Sequence, residues 1–515
     1  MTQLTSGDFL FTGADWDYDK ISRVYDSIEE IATGELGLDT YPNQIEVITV
    51  EQMLDAYASI GMPLMYNHWS FGKHFAIHEA QYRRGMKGLA YEIVINSSPC
   101  ISYIMEENSM TMQTLVIAHA AFGHNHFFKN NYLFQQWTDA EGILDYLEFA
   151  KSYIQRCEEQ HGVAAVEAVL DAAHALMNYG VHRYPRKRKL NLREERRREL
   201  ERLAYQEQSY VDLWRTVPTG GRDRRRNEAV AERKKRLNLP EENLLYFLEK
   251  NAPKLKPWQR EILRIVRRIS QYFYPQKQTK VMNEGCATAV HYHIMNRLHE
   301  TGRLSDGSML EFLHSHTSVV FQPDFDDPRF GGINPYALGF AMMQDIRRIC
   351  EEPTEEDRYW FPEIAGNRDP RGTLLDAWAN YRDESFILQY LSPHLIRQMK
   401  LFKLRDDSER PELVVEAIHN ERGYQAVRRS LARQYDVAVL DPDIQVVDVD
   451  LAGDRKLILE HHVNDGILLA EKDARGVLQH IADLWGYHVK LIEVNAASRH
   501  VLKEHPEIAP RSTLI

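Results

Sequence analysis

The segment VIAHAAFGHNHFFKNN carries His119, His124 and His126 inside an otherwise apolar stretch whose pattern reads as helix. An imidazole in such a stretch needs a hydrogen-bond partner or a metal ion, because an unsatisfied polar ring in apolar surroundings costs free energy. His119 and His124 are five positions apart, so on a regular helix they would point roughly 140 degrees away from each other. Helical metal-ligand pairs usually stand four apart. Gly123, just before His124, points to a break or π-bulge that would bring both rings to one side, and such bulges concentrate at functional sites.

A second group lies in NEGCATAVHYHIMN, also read as helix, where Glu284 and His291 are two helical turns apart on one face. Gly285 between them allows another backbone to approach closely. Carboxylate and imidazole together suit zinc or another divalent transition metal, and His119, His124, Glu284 and His291 form the expected ligand set. MLEFLHSHTSVVFQP adds Glu311, His314 and His316 as further candidates. Glu106 and Glu107 precede the His119 helix. Glu107 is the candidate general acid or base, and its alternative role is a charge that complements the helix dipole. His74 and His78, with Glu79 beside them, have the ideal four-residue ligand spacing, but the following QYRRGMKG reads as a solvated helix end. His68, Trp69, Asn334, Pro335 and Tyr336 look like turn or pocket-shaping residues. For each residue singly, the competing role is a packed, hydrogen-bonded core group.

These residues need helices to position them. Ile21, Val24, Tyr25, Ile28 and Ile31 form one apolar stripe, and helical patterning returns over Asn108–Phe128, Asp139–Glu159, Ala164–Tyr179, Leu244–Ile269, Gln278–Leu298 and Pro335–Cys350. LAYEIVINSSPCISYIM is β-branched and broken by Ser-Ser-Pro, which predicts a small strand element. The last hundred residues read β-α-β-β-α-β, the order of a ferredoxin-like split unit. The expected fold is therefore mainly α, a large helical domain followed by a small ferredoxin-like α/β domain. The corresponding boundaries are a helical part over 1–184, a charged linker or exposed helical insertion over 185–243, a second helical part over 244–405 packing on the first, and the α/β domain over 410–500.

The chain of 515 residues is 43% hydrophobic and 27% charged, a globular composition long enough for two or more domains. A net charge of -12 makes the whole molecule a poor polyanion binder. The arginine-rich stretch within 185–243 is the one local candidate for nucleic acid, and its intermixed glutamates favour a solvated helix with paired charges. No basic n-region with an apolar h-region opens the sequence, and no window is apolar enough to span a membrane. Four scattered cysteines without a CxxC pair argue against a zinc ribbon or a disulfide scaffold, so a cytoplasmic location is expected.

YNHWSFGK, GLAYEIVINSSPCISYIMEEN, VIAHAAFGHNHFFKNNYLF, HALMNYGVHRY, SQYFYPQKQTKVMNEG, MLEFLHSHTSVVFQP and INPYALGFAMMQDIRRI together resemble the SpoVR (stage V sporulation protein R-like) family over most of the chain. The resemblance implies a role in spore cortex formation or, in the Gram-negative branch, in stress and stationary-phase physiology. It also implies a PrkA-type serine kinase and its von Willebrand-like companion as partners. The HAxxGHN and EGCA runs look like a degenerate relative of helical zinc peptidases, which combine an HExxH-type helix with a later EGWA-type glutamate. By that likeness the helices would be zincin-like, with His119 and His124 as ligands and Glu284 the distant third. Ala120 stands where those peptidases place their general-base glutamate, and Cys286 replaces their tryptophan. The resemblance thus leaves two expectations open: a metal-dependent hydrolase of peptide or amide bonds, with Glu107 activating water, and a non-catalytic regulator docking the kinase complex.

Overall fold

The computed structural model describes residues 9–59, 62, 64–83, 92–183, 237–405, 414–417, 420–464 and 466–511. Most of the charged 185–243 segment, and with it the candidate nucleic-acid surface, lies outside the described residues. The chain divides into two compact units, one formed by 1–159 and 271–440, the other by 160–270 and 441–515.

The first unit opens with α1 (Tyr18–Glu29), capped by the Asp17 carboxylate, with Ile21, Val24 and Ile28 buried as the apolar stripe predicts. Strand β1 (Asn43–Ile48) follows, then α2 (Val50–Ala58) and α3 (Trp69–Arg83). The β-branched run forms two strands, β2 (Glu92–Ile95) and β3 (Cys100–Met105). They make a small sheet in the order β1-β3-β2, with β1 parallel and β2 antiparallel to β3. Next come α4 (Met110–Ile117), a π-helix over Ala118–His124, and α5 (Asn125–Asn130). After residue 271 the unit resumes with α6 (Lys280–Glu300), α7 (Asp306–Val319), α8 (Pro335–Glu351) and α9 (Asp383–Tyr390). One continuous apolar core runs through these helices, from Val116, Ile117 and Phe122 to Cys286, Leu338 and Phe386.

Helix α6 is held at its start by Asp383, whose buried carboxylate accepts from the backbone N–H groups of Val281 and Met282. These are orphan donors of the first helical turn, and the Thr279 side chain does not cap them. Two glycine contacts then fix the helix laterally. A Cβ on Gly123 would stand 2.5 Å from Ala287 Cα, and one on Gly339 would stand 2.2 Å from the Val281 carbonyl oxygen. Backbones pack at this range only where side chains are missing.

The second unit carries a four-stranded sheet, β6 (Ile444–Val449), β7 (Leu457–Val463), β8 (Val489–Asn495) and β9 (Val501–Glu504), in that order. Strands β7 and β8 are parallel, linked by the helix Glu471–Trp485, and the other two pairings are antiparallel. Leu459, Val463, Ile481, Trp485, Val489 and Leu491 are buried in this unit. The 160–270 part contributes helices Val163–Ala175 and Leu244–Asn251.

Every element of the expected β-α-β-β-α-β order forms, yet the ferredoxin-like strand order does not. The expected first strand, β5 (Val414–Ala417), pairs instead with a short strand β4 (Lys403–Arg405) in the first unit. The helix after it, Glu421–Arg433, buries Tyr424, Val427 and Leu431 in the first unit's core, and Arg428 donates to the Leu391 carbonyl. Those anchors hold the first strand and helix of the predicted unit to the helical core, and the sheet is completed by β9 at the far end. The units accordingly divide at 440/441, not near 410, and residues from 160 to 270 belong with the tail.

Candidate metal centre

The π-helix resolves the awkward histidine spacing. Hydrogen bonding between residues i and i+5 over Ala118–His124 puts residues five apart on one face, and the His119 and His124 ring centroids are 4.6 Å apart. Gly123, pressed against Ala287 of α6, brings Glu284 of that helix to the same face. The Glu284 Oε2 atom lies 3.7 Å from His119 Nε2 and 3.6 Å from His124 Nε2. These separations are too long for hydrogen bonds. Oε2 is buried and has no hydrogen-bond partner, an unfavourable state for a carboxylate oxygen unless something else occupies the gap.

Glu92 of β2 closes the cluster from the sheet side, with Oε1 3.7 Å from His119 Nε2. Glu92, His119 and His124 each offer an atom within 4.8 Å of the others. Tetrahedral ligands on bonds of about 2.1 Å stand roughly 3.4 Å apart, so the observed gaps are close to what a zinc-sized ion requires. Tyr336 completes the wall. Asn334 caps α8, Pro335 starts it, and the Tyr336 ring stacks on His119 with centroids 6.5 Å apart.

The electrostatics divide the cluster. Burial pushes His124 down to about 4, helped by the neighbouring His119, so its ring is neutral and has a lone pair to give. Burial also pulls His119 down, but Glu284 and Glu92 outweigh it and hold His119 above its ordinary value. Glu284 is held below the usual carboxylate range despite burial, through His119, His124 and Tyr336. Glu92 goes the other way, raised by burial, with His119 opposing.

The His124 ring is aimed by Asn283, whose Oδ1 lies 2.9 Å from Nδ1, leaving Nε2 facing the cluster. His119 has a different neighbour on its far side, His291 Nδ1, 2.9 Å from its own Nδ1. His291 Nε2 in turn lies 3.1 Å from His316 Nδ1. Both ring nitrogens of His291 are thus engaged behind His119, which corrects its expected place among the ligands. The two-turn spacing puts it on the same side of α6 as Glu284 but one layer further back.

Glu107 also departs from expectation. It is exposed on the turn between β3 and α4, and no hydrogen bond or ion pair joins it to the cluster. Helix α4 is two turns long and separates that turn from the π-helix, so a residue twelve positions before His119 stays at the other end of the helix. Glu311 bonds to Ser109, the cap of α4, and His314 is exposed, so only His316 of the third candidate group turns inward. His126 is bonded to the backbone of Asp39, and His74 and His78 pair with each other on α3 at 6.4 Å. Sequence reasoning missed Glu92, Asn283 and the role of Tyr336. The available signal for Glu92 was a lone acid opening the short apolar strand EIVI.

Residues 15–440 match the family model described as SpoVR like protein, and residues 442–496 match the SpoVR-like C-terminal domain. The chain belongs to the SpoVR family. The boundary between the two SpoVR matches coincides with the division between compact units at 440/441. A relative from Escherichia coli (strain K12), named Uncharacterized protein YcgB, is 54% identical over 486 residues, covering 94% of each chain. No solved structure matches. Among the described residues, no helix is long and apolar enough to cross a membrane.

Proposed function

We propose that this SpoVR-family chain holds zinc or another divalent transition metal through His119, His124 and Glu284, and that it hydrolyses a peptide or amide bond at that centre. The observation that carries the reading is Glu284 Oε2, buried without a hydrogen bond and 3.6 to 3.7 Å from two imidazole nitrogens. A bound ion would polarise a carbonyl and lower the pKa of a coordinated water. Glu92 replaces Glu107 as the proton acceptor, since it stands at the cluster and its environment favours taking up a proton. Tyr336, stacked on His119 beside Glu284, supplies a hydroxyl donor to an oxygen bound there. The two imidazoles on a bent helix with a later glutamate are the features that a zincin-like site would share.

The family resemblance supports cell-wall peptides as substrates, in spore cortex formation or in stress and stationary-phase physiology, within the cytoplasm. The second reading is favoured by Ala120, which leaves the peptidase base position without a carboxylate. In that reading the metal is a structural pin, and the chain is a regulator docking a PrkA-type serine kinase and its von Willebrand-like companion. Elemental analysis of untagged protein tests the site. About one equivalent of metal is expected in the wild type and a loss of most of it in His124→Ala. Metal-free, stably folded wild-type protein would end the metal reading. Release of amines from peptide substrates by the loaded protein separates hydrolase from regulator.

A further inference from the structure

Behind the proposed ligands runs a line of three buried imidazoles, contributed by three different helical segments. His119 sits on the π-helix, His291 on α6 and His316 on α7, each at most 4% exposed. The contacts are Nδ1 to Nδ1 at 2.9 Å and Nε2 to Nδ1 at 3.1 Å. Each contact joins two ring nitrogens and therefore holds one proton, with one nitrogen donating and the other accepting. A neutral imidazole carries only one N–H, so fixing the proton at one end of the line fixes it throughout.

We propose that His291 and His316 are positioning residues that lock His119 in the tautomer whose Nε2 lone pair faces the metal site. This inference rests on the metal reading above. With the proton on His119 Nδ1, that nitrogen donates to His291 Nδ1. His291 then carries its proton on Nε2 and donates to His316 Nδ1. The opposite polarity would place a proton on His119 Nε2, facing Glu284 and Glu92, and block the lone pair. The aromatic packing holds the line in place. His316 lies between Tyr292, at 4.9 Å, and Phe340, at 4.8 Å, and His291 meets the Phe312 ring edge-on at 6.0 Å. A ligand histidine whose second nitrogen is fixed by a hydrogen bond binds metal more tightly, and loss of such a partner typically costs about 10- to 100-fold in affinity. Here one partner of His119 is another histidine, itself oriented by a third, in addition to the Ala287 backbone carbonyl.

The test is titration of the full-length, metal-stripped protein with Co(II), following its visible absorption, together with thermal unfolding of the metal-free forms. His291→Leu removes the acceptor and is expected to weaken Co(II) binding about 10- to 100-fold. His291→Gln, whose side-chain oxygen can accept from His119 Nδ1, is expected to recover part of that loss. His316→Phe keeps an aromatic ring among Tyr292, Phe312 and Phe340 and should show a smaller loss in the same direction. Recovery by glutamine but not leucine, at similar metal-free unfolding temperatures, separates positioning from a purely structural role. Wild-type affinity in His291→Leu overturns the inference and leaves the metal reading standing. Failure of the wild type to bind Co(II) or Zn(II) removes both.

Discussion

Gly339→Ala isolates the close contact between α6 and α8, the helix that carries Tyr336. Its Cβ would stand 2.2 Å from the Val281 carbonyl oxygen and 2.8 Å from Gly285 Cα, both backbone atoms of α6. Neither can rotate aside, so α6 and α8 must part by about 1.2 Å to restore an ordinary contact. Overpacking of this kind costs about 1 to 3 kcal/mol, and the rigid backbone neighbours put it at the upper end. Alanine regains up to about 1 kcal/mol of helix propensity, which leaves a net loss of about 2 kcal/mol. In a unit of this size that corresponds to a fall of about 3 to 5 °C in Tm. Because α6 also carries Glu284, metal affinity should fall with it. The matched control is Gly476→Ala, in the helix Glu471–Trp485, where a Cβ meets nothing within 4 Å. That variant should unfold no lower than wild type. Calorimetry on both full-length variants is the assay, and a Gly339→Ala protein as stable as wild type would refute the close-packing argument.

Two further outcomes follow from individual side chains. Asp357 is pulled down to about 2, because the Arg348 guanidinium, at 2.6 and 2.9 Å, and Thr354 outweigh the opposing effect of burial. A carboxylate with a depressed pKa stabilises the fold above its ordinary pKa and loses that contribution as pH falls through the depressed value. The stability gap between wild type and Asp357→Asn, about 1 to 2 kcal/mol near neutrality after screening, should therefore close between about pH 5 and pH 2 in acid-unfolding experiments, and a gap independent of pH would contradict the pairing. Glu92→Gln should retain metal by elemental analysis while losing at least about 100-fold in peptide hydrolysis, the lower range for an acid–base group; unchanged turnover would remove Glu92 from the chemistry.

How much of this was legible in the sequence depended on whether the deciding interaction was local. The α1 stripe, the extended character of the β-branched run, though not its division into two strands, and the secondary elements of the tail were readable, since each follows from periodicity within a dozen residues. The convergence of His119, His124 and Glu284 was foreseeable because Gly123 flagged the irregular helix and Gly285 the close approach. Strand order in the tail was not, because it is set by where Tyr424 and Leu431 bury, a competition between distant cores that no local pattern records. His291 was misplaced by one layer for a related reason. Helical phase gives the face of a residue, but depth depends on which partner reaches the site first, and here that partner was His119. Glu92 was invisible because one acid at a strand end is ordinary until the fold sets it against an imidazole.

The arrangement also explains why the likeness to helical zinc peptidases stops where it does. A five-residue gap between the two imidazoles is accommodated by the π-helix, and the position after His119 is taken by Ala120, which is fully buried in the core. A glutamate there would have to displace that packing. The second carboxylate at the cluster is that of Glu92, on β2. Geometry separates the two acids: Glu284 Oε2 is near both Nε2 atoms, whereas Glu92 meets only that of His119. Their environments differ as well: Glu284 is held below the usual carboxylate range by His119 and His124 against the effect of burial, and burial raises Glu92. Under the reading proposed above, the position of Glu284 between the two imidazoles suits it to the ion and that of Glu92 at the edge of the cluster suits it to the proton, a division that the structural-pin reading does not require.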